Sequence, residues 1–261
     1  MVNRYSLGIV QKICFAAMLI VLAAICQKLL AFSNFPPIPF LRISFGGPAL
    51  IIFSSILLGP IFGALVGGAS DLIGFVVFDP KTTSGVPFFQ ITLLYVVLGC
   101  VSYFVFKYIE KIKNKKVILL TELITFVAIF VGVALFMFLK DNLTIYGKTY
   151  EFTSAIRIAT TIITFILLCC LFLINLLLAK RFEKKYENIS VYAISFSCFL
   201  IELVVMLLFG TAMKVWAFSS ATFLPVFFTQ LVVSFLNVPL NTFLISYIIV
   251  LMDKTLKKNL A

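Results

Sequence analysis

The chain has 261 residues, 62% of them hydrophobic, with a mean hydropathy of +1.17. Its charged content of 12% is too low to cover a soluble domain of this size, so the composition is that of an integral membrane protein. The formal charge of +11 comes from basic residues that alternate with apolar runs, which points to membrane topology rather than to a face for nucleic acid. Six cysteines lie within apolar runs, with no C-x-x-C pair and no histidine, so metal-ligand spacing is missing and they read as small hydrophobes.

Residues 1–8 form a polar lead, and the first span is expected at about 9–31, read as a retained helix because no small-residue cleavage site follows it. On it, Ala16, Ile20 and Ala24 share one stripe, spacing that allows close contact with another helix, inside the chain or outside it. Residues 32–47, FSNFPPIPFLRISFGG, read as a loop stiffened by Pro36, Pro37 and Pro39. Two short apolar spans follow at about 48–58 and 60–78, broken at Gly59-Pro60, and interrupted spans are a usual pointer to a transport site. The second of them buries Asp71 beside Gly67, Gly68, Ala69 and Ser70, so the stretch from Leu41 to Phe78 reads as the wall of a polar pocket. Further spans are expected at about 88–108, 117–139, 152–180, 190–213 and 223–252, making eight in one transmembrane domain over residues 1–261.

The charges orient these spans. With both ends inside, the inner segments carry fourteen basic residues, chiefly in the runs around 107–116 and 180–185 and in the tail, and the outer segments carry seven. That excess supports an N-in, C-in arrangement by the positive-inside rule.

An ordered set of motifs carries a resemblance. Arg42-Ile43-Ser44-Phe45-Gly46, Leu58-Gly59-Pro60-x-x-Gly63, Gly67-x-x-Ser70-Asp71-Leu72-x-Gly74 and Pro87-Phe88-Phe89 together resemble the substrate-binding (S) component of energy-coupling factor vitamin transporters, in its folate-specific branch. The likeness is strong over about 10–108 and weaker over about 191–252. It implies an all-α membrane fold with a six-helix core, to which about 117–180 adds an inserted helix pair. It also implies capture of a vitamin, a transmembrane coupling subunit, and two ATPase subunits that supply the energy. In S components a related alanine stripe on the first helix docks on the coupling subunit, which would assign Ala16, Ile20 and Ala24 that role. Val226 departs from the family, whose members usually carry a basic residue after the proline matching Pro225.

The candidate substrate-binding residues are Arg42, Ser44, Phe45, Asp71, Phe88, Phe89, Glu202, Lys214 and Trp216. Arg42 is either an arginine snorkelling to the interface or a fork of donors for a substrate carboxylate, such as the glutamate tail of folate. Asp71 either makes a structural hydrogen bond or ion pair, or accepts from the N–H edge of a pterin, and Glu202 is the other carboxylate able to do so. Glu122 reads as interfacial. Lys214 and Trp216 suit anchoring at the membrane surface, and Trp216 also suits stacking on an aromatic ring. The glycines do not form G-x-x-x-x-G-K-[ST], so ATP hydrolysis by this chain is not expected. Proteolysis lacks a histidine and prenyl transfer lacks clustered aspartates, so no enzyme activity, cofactor, metal or nucleic-acid partner is expected. Other vitamins (riboflavin, pantothenate, a thiamine precursor) and a membrane scaffold or enzyme of unknown chemistry stand as alternatives.

Overall fold

The computed structural model describes residues 8–35, 38–44, 46–78, 89–112, 114–139, 142–145, 148–151, 153–185, 191–217 and 223–258. Within them the fold is helical: α1 (Ile9–Lys28), α2 (Gly47–Leu58), α3 (Pro60–Phe78), α4 (Phe89–Glu110), α5 (Lys115–Leu139), α6 (Ser154–Lys185), α7 (Val191–Ile201), α8 (Gly210–Ala217) and α9 (Phe223–Lys258). A π-helical segment, Glu202–Phe209, joins α7 to α8 without a break, so Val191–Ala217 is one continuous span. Six of the helical spans are long and apolar enough to cross a bilayer. The chain is thus a multi-pass, all-α membrane protein.

Two segments expected as loops are paired strands. Residues Ala31–Phe35 (β1) and Ile38–Ser44 (β2) form an antiparallel hairpin, with Ser33 opposite Arg42 and a register shift between Ser33 and Phe35. Pro39, within β2, is compatible with a short, isolated hairpin, where a missing N–H on an open edge costs little. Asn142–Ile145 (β3) and Lys148–Glu151 (β4) make the second hairpin, between α5 and α6.

The first four helices pack through glycine. Gly46, at φ +84°, turns the chain into α2, and Pro48 occupies its first turn, where a missing N–H is harmless. Gly59, at φ +100°, then releases the chain into α3, whose first residue is Pro60. Along the α3–α4 seam a Cβ on Gly63 would stand 2.6 Å from the Gly99 carbonyl oxygen, and one on Gly67 would run into the Tyr95 carbonyl. Only hydrogen at these positions lets the two backbones approach so closely.

Val191–Ala217 is the central element. Of its membrane-length stretch 72% is buried, against 22–39% for the other five long spans. It packs against α4 on one side and α9 on the other, while α5 and α6 lie against α7. One apolar cluster joins α1, α2, α4, α7 and the second half of α9, and another joins α5 and α6 to α7. Pro239 lies inside α9, where it removes one helical hydrogen bond and loosens that turn.

Candidate functional site

Polar groups inside a bilayer are costly unless paired, so each buried one among the described residues is either a structural pin or a place for a ligand. Three such places stand out, and they differ in how fully their hydrogen bonds are made.

The first is Asp71 on α3. It is 7% exposed and accepts a 2.7 Å hydrogen bond from the Thr92 hydroxyl on α4. Next to it, Ser70 donates to the Gly67 carbonyl at 3.0 Å, and Gln27 of α1 donates to the Ser70 hydroxyl at 3.4 Å. A Cβ on Gly74 would stand 3.0 Å from the Lys28 side chain. The small residues around Asp71 are therefore filled by α4 and α1. Expected as a pocket wall, this part of the stretch from Leu41 to Phe78 is a helix–helix seam, because a glycine that admits a ligand also admits a neighbouring backbone.

The second is Glu122 on α5, only 1% exposed, which accepts from the Asn175 amide of α6 at 3.0 Å. The expectation of an interfacial Glu122 is corrected here. The residue faces α6 and α7, and its bond to Asn175 ties the α5–α6 pair together in the apolar cluster that seats it on α7.

The third lies between the π-helical segment and α9. Glu202, 1% exposed, opens the π segment and accepts from the Asn241 amide at 2.8 Å through Oε1. Its other oxygen, Oε2, is buried without a hydrogen-bond partner, as are Ser234 Oγ, Asn237 Oδ1 and Asn241 Oδ1 on α9. Ser234, Asn237 and Asn241 follow one another at helical spacing on one face of α9. Glu202 and Ser234 line a small cleft, about the size that holds a single water molecule, whose remaining walls are aliphatic and aromatic. The attraction of the Lys214 ammonium on α8 also reaches Glu202. A π segment widens a helix by one residue per turn and is frequent at functional sites; here the N–H of Gly210 reaches back to the Val205 carbonyl. The site thus gathers a carboxylate and two amide oxygens with unmet acceptor capacity in the most buried span, with the Ser234 hydroxyl beside Glu202 as the one donor within the set. Chemically it suits a ligand edge that presents N–H groups.

The other expected residues fall around these centres. Arg42 and Ser44 are on β2, which packs against α9 and the end of α1. A Cβ on Gly46, just past β2, would stand 3.3 Å from Leu244, one helical turn from Asn241. The fold therefore brings the strand of Arg42 beside the helix of Asn241. Phe45 and Phe88 lie outside the described residues, and Phe89 is 66% exposed at the start of α4. Lys214 is half-buried on α8, and Trp216 is 60% exposed, the position of an interfacial anchor. Ala16 and Ala24 are buried and Ile20 packs partly against the core, so that the small-residue stripe seats α1 on its own chain. What α1 turns outward is Ile13, Met18 and Val21. Sequence reasoning missed Asn241 as the hydrogen-bond partner of Glu202 and Ser234 as its neighbour; their place on one face of α9 was the available signal.

A family model described as "ECF transporter, substrate-specific component" matches residues 11–175, more than half of the chain. The matched range takes in α1 to most of α6, including α5 and much of the pair expected as an insertion, and stops before Val191–Ala217 and α9. No curated protein and no solved structure matches the chain.

Proposed function

Since the chain belongs to the family of ECF transporter substrate-specific components, we propose that it captures a vitamin for uptake and that this vitamin is folate. Members of this family are transporter components, not enzymes. The chain has no phosphate-binding loop of its own, so the energy for uptake comes from partner ATPases acting through a transmembrane coupling subunit. The observation that carries the substrate assignment is Glu202, whose Oε2 is buried and unpartnered beside Asn241 and Ser234. The amino-pyrimidine edge of a pterin offers adjacent N–H donors, which match adjacent acceptors. Charge-assisted hydrogen bonds of this kind contribute about 1.5–3 kcal/mol each. Arg42, carried on the strand that leans on α9, is assigned to the glutamate tail, which a guanidinium grips in a fork. Of the two carboxylates, Asp71 already accepts from Thr92, and the ring is therefore assigned to Glu202.

The test is mass spectrometry of the ligand retained by protein purified in detergent, followed by titration of the emptied protein. A retained folate or pterin, with binding restored on titration, is the expected result. A flavin or a thiamine precursor in its place would overturn folate while keeping vitamin capture. A protein that retains nothing and ignores every vitamin would overturn the reading as a whole.

A further inference from the structure

Three helices end at one level, on the side that the charge excess places inside. Glu122 of α5 is bonded to Asn175 of α6. Lys115 lies seven residues before Glu122 and Arg181 six after Asn175. At 1.5 Å per residue, each stands roughly 10 Å along its own helix from that bond, in the same direction. Ile109 near the end of α4 and Ile118 in the first turn of α5 share one apolar cluster with Phe196 and Tyr192 of α7. Ala179 of α6 shares another with Phe106 of α4 and Val191 of α7. The inner ends of α4, α5 and α6 therefore meet around the start of α7.

These ends are basic. Residues 107–116 hold five lysines against one glutamate, Glu110, and residues 180–185 hold four basic residues against one glutamate, Glu183. Lys107, Lys111, Lys115, Lys116, Lys180 and Arg181 are all exposed. Two of them are steadied by aromatic faces: Lys115 Nζ stands 5.9 Å from the centre of the Tyr192 ring, and Lys107 Nζ 5.6 Å from that of Tyr103. Next to the charges the surface turns apolar. Leu120 and Ile124 follow Lys116 at steps of four along α5, and Leu177 and Leu173 precede Arg181 in the same way on α6, all of them 56–66% exposed.

We propose that this basic rim binds an anionic phospholipid of the inner leaflet, its phosphate among the ends of α4, α5 and α6 and its chains along the apolar stripes. The positive-inside rule asks only for basic residues in the inner segments. Here the cations of three helices are drawn to one level around the start of a fourth, and on α5 and α6 an exposed cation heads an exposed apolar stripe. Basic clusters between helices on the cytoplasmic side suit anionic headgroups. A phospholipid has both the phosphate and the hydrocarbon that this surface matches. An acidic protein or a free phosphate would use the charges and leave the stripes unmatched. A lipid held there ties the α5–α6 pair to α4 and α7 from the inner side. Such a site is independent of which vitamin the chain binds and of the role of Glu202.

The experiment is native mass spectrometry of the detergent-purified full chain, titrated with phosphatidylglycerol or with phosphatidylcholine of the same chain length. Phosphatidylglycerol should bind about tenfold or more the tighter, and inorganic phosphate at equal concentration should not displace it. Replacing Lys111, Lys116 and Arg181 together by Gln should weaken phosphatidylglycerol by about a hundredfold, because each cation near an anionic surface contributes about fivefold. Lys12→Gln removes a cation from α1, which packs on α2 and α3, and should change nothing. Equal binding of the two lipids, or a triple variant that binds like the parent, would overturn the proposal. So would a loss in Lys12→Gln as large as that of the triple variant, which would make net charge, not this rim, the cause. Displacement of the lipid by phosphate, or by polyglutamate at equal concentration, would replace it with a free anion or an acidic protein. Melting curves report whether each variant is folded. Should the triple variant fail to fold, Lys116→Gln and Arg181→Gln should each lose about fivefold, and no loss in either would overturn the proposal.

Discussion

The α3–α4 seam and the seam between the π segment and α9 solve the same problem in opposite ways. Each buries a carboxylate where the chain reads as membrane-spanning. Along α3–α4, Gly63, Gly67 and Gly99 bring the backbones into contact, and Asp71 has Thr92 beside it. Between the π segment and α9, the helix is widened, Pro239 removes a backbone bond, and four side-chain oxygens keep unmet capacity. The first seam is closed by backbone contact. The second is set apart from it by a widened helix, and on the reading proposed here that difference, rather than the presence of a carboxylate, makes it the candidate binding site.

The comparison can be broken most forcefully at Gly67. Gly67→Val drives a side chain into the Tyr95 carbonyl, which is backbone and cannot swing aside as a flexible side chain would. It should cost about 3 kcal/mol, near the upper end for overpacking, and be read as a lost or sharply lowered melting transition in ligand-free protein. A smaller effect is expected where the site meets the hairpin. Arg42→Gln should weaken folate by about tenfold and barely touch a tail-less pterin, the loss of one charge-assisted contact. Equal loss for both ligands would move Arg42 from the tail to the ring or to the fold. The smallest effect belongs to Gly74→Ala, because the neighbour it meets is the flexible Lys28 side chain. A shift within about 0.5 kcal/mol of the parent is expected there, and a loss like that of Gly67→Val would show that the seam is tight along its whole length.

Much of this architecture was legible in the residues. The break at Gly59-Pro60 marked the α2–α3 turn, and the apolar runs placed the spans to within a few residues. The hairpin at Ala31–Ser44 was not legible, since prolines exclude helix but do not say whether the extended chain finds a partner strand. Asp71 and its glycines were conspicuous, yet small residues alone do not distinguish a ligand from a neighbouring backbone. Glu202 was visible as a carboxylate at depth. Its bond to Asn241 joins positions 39 apart in sequence, and no residue type announces a π segment, so its surroundings emerged only from the fold. The Glu122–Asn175 bond, 53 positions apart, was hidden for the same reason.

The central claim is that Glu202 holds substrate while Asp71 holds helices. Glu202→Gln and Asp71→Asn, measured side by side for folate affinity and for ligand-free melting, test it most directly. Glu202→Gln should lose about ten- to a hundredfold in affinity with its melting little changed. Asp71→Asn should lose about 1–1.5 kcal/mol of stability, with affinity intact once folded. The reverse pattern, with binding lost at Asp71 and stability lost at Glu202, would contradict the account.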